Sequence, residues 1–104
     1  MPPADSPFLQ RLARHVLVAD GAMGTSIHAL DLPLSEYRGL ENCSEILIET
    51  RPDAIERIHR SFLDVGCDLV ETNTFGANRI VLAEFDLADR AYDLNVQAAQ
   101  IARR

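Results

Sequence analysis

The sequence predicts an α/β fold with parallel strands, and two observations lead to that prediction. Short apolar, β-branched runs alternate with stretches of helical periodicity, and neither run shows the polar alternation of a strand with one face in water. A (β/α)8 barrel uses about 250 residues, about 30 for each unit. A chain of 104 residues therefore supplies at most the first two or three units, and we expect it to be truncated at its carboxyl end.

The first half of the chain carries one predicted strand. Residues 1–9, which include three prolines, are predicted to form a loose leader, and residues 10–104 a partial domain. The apolar run 15–19 predicts a buried strand that ends at the turn Asp20-Gly21. Around this strand the sequence predicts short helices near 8–13 and 23–30, followed by a long loop over 31–42.

The second half carries another strand among three helices. The segment 50–53 (TRPD) supplies a capping residue, an early-turn proline and an acid, so we predict a helix that ends at Gly66. A short strand is predicted at once afterwards, over 68–72. Turn residues then lead into helices predicted over 77–84 and 88–103.

Charge and composition exclude several classes of partner. Ten arginines and no lysine stand against sixteen acidic residues, and the net charge of −6 argues against binding of nucleic acid. No apolar run approaches the roughly 18 residues of a membrane-spanning helix, and no secretion signal begins the chain, so we expect no membrane partner and a cytoplasmic location. Cys43 and Cys67, which form no CxxC pair, are expected to be free thiols there.

Both predicted strands end in polar turns, 20–25 and 71–76, and ligands bind at the carboxyl ends of parallel strands. In the first turn the carboxylate of Asp20 suits an ammonium group, while Gly21 and Gly24 let backbone N–H groups approach an anion. Together these groups suit the zwitterion of an amino acid. The alternative is that Asp20 only caps the following helix and the glycines only permit the turn.

The second turn offers hydrogen-bonding side chains and an aromatic ring. Thr72, Asn73 and Thr74 end the predicted strand, and Phe75 follows as a candidate wall of an apolar pocket. Glu71 lies within the strand, where a carboxylate has to be paired or functional. The alternative for this segment is a well-bonded strand-to-helix connection that holds no ligand.

The sequence contains no pattern of metal ligands. His15, His28 and His59 show no ligand spacing with the cysteines, and His59 is predicted to lie on the solvent side of its helix. Two thiols without a third or fourth ligand make no closed zinc site. We therefore predict no metal site among these residues.

Four segments are recognisable as a set. They are 16–25 (VLVADGAMGT), 39–47 (GLENCSEIL), 50–53 (TRPD) and 71–78 (ETNTFGAN). In this order they closely resemble the homocysteine S-methyltransferase family, and most closely its cobalamin-dependent methionine synthase branch. The resemblance covers about residues 10–104.

The resemblance implies that the chain is the amino-terminal part, about the first two βα units, of a (β/α)8 barrel that binds homocysteine at the carboxyl ends of its strands. The family transfers a methyl group to the homocysteine thiol, which a zinc ion held by three cysteines activates. Cys43 and Cys67 do not match those cysteines, so the zinc ligands are expected outside this chain. In the methionine synthase branch the methyl group comes from cobalamin and methyltetrahydrofolate, which other domains bind.

The resemblance also implies roles for residues of both turns. Asp20 would pair with the substrate ammonium. The first turn would bind the substrate carboxylate through the backbone of Gly21, Ala22 and Met23, and the second turn would wall the pocket with Thr72, Asn73 and Phe75. The fragment alone is expected to be inactive, and two other hypotheses stand beside it: a non-catalytic amino-acid-binding module and a nonfunctional truncated product.

Overall fold

The computed structural model describes residues 6–104, and the regular structure of this part is helical. The α-helices are α1 (Pro7–Leu12), α2 (Met23–Ala29), α3 (Leu47–Thr50), α4 (Pro52–Asp64), α5 (Arg79–Leu82) and α6 (Ala91–Arg103). Short 3-10 helices lie between them, at Leu34–Tyr37, Ser44–Ile46, Ala83–Phe85 and Ala88–Arg90. None of the helices described in residues 6–104 is long and apolar enough to cross a bilayer.

The hydrophobic core lies among the helices, as their apolar spacing requires. Helix α3 packs against α4 and α6, and α4 also packs against α2 and α6. Each longer helix buries residues three and four positions apart, which lie on one face. The buried cluster comprises Ile27, Leu47, Ile48, Ile55, Ile58, Leu82, Leu94, Ala98 and Ile101.

Neither predicted strand forms in the described part of the chain. The two apolar runs meet instead at one parallel bridge, between Ala19 and Leu69. The N–H of Asp20 donates to the carbonyl of Leu69 at 3.1 Å, and the N–H of Leu69 donates to the carbonyl of Val18 at 3.4 Å. These are the two bonds of a parallel pairing, so the two runs are parallel, as predicted, although they do not form extended strands.

Two carboxylates end this pairing on either side. Oδ2 of Asp68 accepts from the N–H of Val18, and Oδ1 of Asp20 accepts from the N–H of Glu71, both at 2.9 Å. A longer ladder would use these same N–H groups, so the side chains replace it. The prediction of a buried first strand was also wrong, because one neighbouring run leaves Val16 90% exposed.

Helix α4 begins at Pro52, one residue later than expected if Thr50 were its cap. Arg51, with φ −139° and ψ 59°, is the cap residue, and no side chain caps the helix. The reason is Pro52, because a proline disfavours helical backbone in the residue before it. Thr50 therefore belongs to α3, where its hydroxyl donates to the carbonyl of Ile46 at 3.4 Å.

Helix α5 is shorter than the helix predicted over 77–84. Oδ1 of Asn78 accepts from the N–H of Val81 at 2.9 Å, so Asn78 caps the helix and its first residue is Arg79. The chain leaves α-helical geometry after Leu82 and continues as a 3-10 turn.

The amino-terminal boundary and the middle segment also differ from expectation. Of the predicted leader, residues 1–5 lie outside the described residues, while residues 7–9 already belong to α1. The predicted loop 31–42 contains a 3-10 turn, and the helices of 44–50 were not predicted.

His59 is buried, which corrects the prediction that it faces solvent. Only 2% of the residue is exposed, and within residues 6–104 neither ring nitrogen has a hydrogen-bond partner. It lies four residues after Ile55 and therefore on the same apolar face of α4. Burial lowers the pKa of His59, and the charge of Asp20 opposes that shift in part.

The buried imidazole makes stability depend on pH. Because the pKa of His59 is lower in the folded chain than the usual value of about 6.5, the unfolded chain binds more protons below that pH, and stability falls as pH falls. The loss can reach about 1.4 kcal/mol for each pH unit below 6.5.

We expect urea unfolding between pH 7.5 and 5.5 to show a smaller loss of unfolding free energy in His59→Gln than in the wild type. The exposed His28→Gln should keep the wild-type pH dependence, and equal slopes in all three proteins would contradict this account.

Candidate functional site

The two polar turns line one pocket of about 190 Å³. The bridge between Ala19 and Leu69 sets this arrangement, because each turn leaves the bridge on the same side. All seven residues predicted for the site line the pocket: Asp20, Gly21, Ala22, Met23, Thr72, Asn73 and Phe75. Glu71 and Thr74 line it as well.

Asp20 connects the two turns and does not cap a helix. Its Oδ1 accepts from the N–H of Glu71 at 2.9 Å, while Ala22, with φ 51°, occupies the cap position of α2. The helix-cap alternative is therefore wrong. No hydrogen bond within residues 6–104 uses Oδ2 of Asp20, and the half-buried side chain lines the pocket. This oxygen is free to accept from a ligand.

The backbone of the first turn presents donors to the same pocket. Ala22 is in the left-handed region, and α2 starts directly after it. Within residues 6–104 the N–H groups of Gly21, Ala22 and Met23 donate to no other group. Successive unpaired N–H groups in such a turn suit an anion, and a carboxylate group is one.

The second turn is held by its own side chains. The hydroxyls of Thr72 and Thr74 lie 2.6 Å apart, and the N–H of Thr74 donates to the carbonyl of Thr72 at 2.9 Å. Asn73 is 5% exposed, and its Nδ2 donates to the carbonyl of Ser44 at 2.9 Å. Asn73 thus fixes the turn against the segment before α3.

Phe75 and Glu71 depart from their predicted environments. Phe75 lines the pocket but is fully exposed, so its ring stands at the rim of the pocket. Glu71 is exposed as well, because the strand that was expected to bury it does not form. Glu71 contributes its backbone N–H to the site, which donates a hydrogen bond to Oδ1 of Asp20.

The cysteines lie outside this pocket and do not fit a zinc site. Both thiols are free; burial raises the pKa of the Cys43 thiol, and Sγ of Cys67 contacts the carbonyl of Ala19 at 3.9 Å. Within residues 6–104 no group of three or more His, Cys, Asp or Glu side chains could hold a metal ion.

A second cavity, of about 410 Å³, adjoins the pocket and is lined by a carboxylate that no sequence pattern indicated. The two cavities share Met23, Asn73 and Phe75, and Glu45 lines the second one. The signal for Glu45 was weak, since no strand end precedes it and its 3-10 turn was not predicted.

Comparison with known proteins gives the family. The sequence model of homocysteine S-methyltransferase matches residues 17–104, which include both turns of the pocket. The chain belongs to the homocysteine S-methyltransferase family.

Two curated relatives contain a segment in which about half of the residues are identical to those of this chain. The chain is 53% identical over 100 residues to the methionine synthase of Mycobacterium tuberculosis and 52% identical over 100 residues to that of Mycobacterium leprae. These matches cover 96% of this chain but 8% of each relative. The shared segment thus contains both polar turns of the homocysteine S-methyltransferase match.

The Asn73 contact makes a testable contribution to stability. Replacing Asn73 with alanine removes the hydrogen bond to the carbonyl of Ser44, and a part-buried hydrogen bond contributes about 0.5–1.5 kcal/mol to stability. We expect the urea midpoint of Asn73→Ala to fall accordingly. Gln100→Ala, which removes an exposed carboxamide, should change stability by less than about 0.5 kcal/mol. Equal effects of the two substitutions would show that the Asn73 contact does not hold the turn.

Proposed function

We propose that this chain is the amino-terminal part of a homocysteine S-methyltransferase of the methionine synthase type. The full-length enzyme transfers a methyl group to the thiol sulfur of homocysteine, with methionine as the product. The observation that carries the proposal is the single pocket formed by the two motif turns, both within the segment that matches the family. The fragment alone is inactive in this proposal, because the groups it contributes bind the substrate and perform no methyl transfer.

The pocket suits the amino-acid end of homocysteine. The free oxygen of Asp20 is the acceptor for the substrate ammonium, and the unpaired N–H groups of Gly21, Ala22 and Met23 are the donors for its carboxylate. Asn73 keeps the second turn in place. The zwitterion therefore meets opposite partial charges at its two ends, which orients the side chain that carries sulfur.

The remaining parts of the reaction belong to other segments in this proposal. The relatives are far longer than this chain, and we place the further βα units of a barrel, the zinc ligands, and the cobalamin and methyltetrahydrofolate domains in that remainder. Zinc supplies an activated thiolate in such enzymes. The residues described here do not provide its ligands, so none of the binding steps proposed for this chain uses the metal. The free thiols suit a reducing, cytoplasmic location.

A non-catalytic amino-acid-binding module is the second candidate, because the pocket contains groups for both ends of a zwitterion and no metal ligands among the described residues. Methylation of homocysteine by the longer protein separates the two candidates. Binding of homocysteine without any methylation, with zinc and methyl donor supplied, would favour the module.

The substitution Asp20→Asn in the longer protein tests the ammonium contact. Asparagine keeps an oxygen that can accept from the N–H of Glu71 but removes the charge. A charge-assisted hydrogen bond contributes roughly 1.5–3 kcal/mol, so we expect the KM for homocysteine to rise about 10- to 150-fold.

Asp68→Asn is the matched control. Asp68 also accepts from a backbone N–H, that of Val18, but it does not line the pocket. The control should leave the KM for homocysteine near the wild-type value. Unchanged KM in Asp20→Asn, with folding intact, would remove Asp20 from the substrate site.

A further inference from the structure

Asn95 of α6 donates two hydrogen bonds. Its Nδ2 donates to the carbonyl of Ala91 at 2.7 Å, one turn earlier in the same helix, and to the carbonyl of Ala77 at 2.8 Å, outside the helix. Because both partners are carbonyl oxygens, the atom between them is the amide nitrogen, and both of its hydrogens are used. Asn95 therefore joins α6 to the residue that directly follows the second turn.

The core already holds α6 without the contact to Ala77. The buried face of this helix, formed by Leu94, Ala98 and Ile101, is at most 3% exposed. Asn95, by contrast, is exposed. Asparagine is also a poorer helix former than alanine, so its presence in the middle of α6 has a cost that the hydrogen bonds offset. The contact thus serves the segment around Ala77 more than it serves the helix.

Ala77 closes the second turn. Its N–H donates to the carbonyl of Thr74 at 3.1 Å, and the hydroxyl of Thr74 lies 2.6 Å from that of Thr72. Thr72, Thr74 and Phe75 all line the pocket. A continuous chain of hydrogen bonds therefore leads from Asn95 through Ala77 to the pocket.

The other anchors of the second turn lie earlier in it. Asp20 accepts from the N–H of Glu71, and Asn73 donates to the carbonyl of Ser44. These two contacts fix the first half of the turn. The contact from Asn95 fixes the residue after its last one, so it controls the half that contains the aromatic ring.

We propose that Asn95 is a positioning residue for the homocysteine site, and that it acts by fixing Ala77 and with it the pocket wall formed by Thr74 and Phe75. The inference rests on the proposed function, in which the first turn binds the zwitterion and the second turn walls the pocket. Loss of the contact lets this wall move and weakens the binding of homocysteine, while the site of the methyl donor in other domains is unaffected.

The test measures the KM values for homocysteine and for methyltetrahydrofolate in the longer protein and its Asn95→Ala variant. We expect the KM for homocysteine to rise about 2- to 10-fold, the range that one lost hydrogen bond allows, and the KM for methyltetrahydrofolate to stay within about twofold. A purely structural role would lower the amount of active enzyme, and therefore the apparent kcat, with both KM values unchanged. Gln100→Ala removes an exposed carboxamide from the same helix and should leave both KM values near those of the wild type.

A double-mutant cycle shows whether Asn95 acts through the second turn. Thr74→Ala removes a hydroxyl of the same chain of hydrogen bonds, so the rise in the KM for homocysteine in the double variant should be smaller than the product of the two single rises. Asp20→Asn changes the first turn, and its rise should multiply with that of Asn95→Ala.

An unchanged KM for homocysteine in Asn95→Ala, or an equal rise in Gln100→Ala, would overturn the inference, as would a rise that multiplies with that of Thr74→Ala. If Asn95→Ala does not fold, Asn95→Ser is the second variant, because a serine hydroxyl can donate to the carbonyl of Ala91 four residues earlier and leaves Ala77 without its donor. An unchanged KM there would also overturn it. A wild-type protein that methylates no homocysteine would contradict the proposed function and this inference with it, whereas an active wild type with unchanged KM in the variants would contradict the inference alone.

Discussion

The hydrogen bond from the N–H of Glu71 to the carboxylate of Asp20 holds the candidate site together. It continues the pairing of two segments that share a single parallel bridge, and it does so with a side chain in place of a carbonyl. One oxygen of Asp20 is thereby fixed to the second turn, and the other is left for a ligand. In the proposed site, structure and substrate recognition depend on the same carboxylate, which is why a substitution that keeps the oxygen and removes the charge is informative.

A second layer supports this arrangement from the helical core. Asn73 donates to the carbonyl of Ser44, and the 3-10 turn that begins at Ser44 also carries Glu45. Helix α3 follows directly and packs against α4 and α6. The packed helices thus position both the second turn and the carboxylate of Glu45, although no residue of the buried cluster lines the pocket of Asp20. The core supplies rigidity, and the turns supply the polar groups.

The sequence predicted the parts of this structure that depend on local signals. The apolar spacing of α4 and α6 and the polar turns were readable from the sequence, whereas the pairing of the two apolar runs was first shown by the structure. Extended strands were not formed, because Asp20 and Asp68 take the N–H groups that a ladder would use. The burial of Glu45 was missed because it depends on which turns pack over it. The burial of His59 was missed although its spacing from Ile55 places it on the apolar face of α4, because its polar ring and its neighbour Arg60 suggested a solvent-facing position.

A crystal structure of the longer protein with homocysteine bound tests the central claim most directly. The account predicts the substrate nitrogen within about 3 Å of the Asp20 carboxylate, and the substrate carboxylate on the N–H groups of Gly21, Ala22 and Met23. The bond from Glu71 to Asp20 should persist in that complex. A homocysteine bound away from the two turns, or one whose ammonium does not contact the Asp20 carboxylate, would contradict the account.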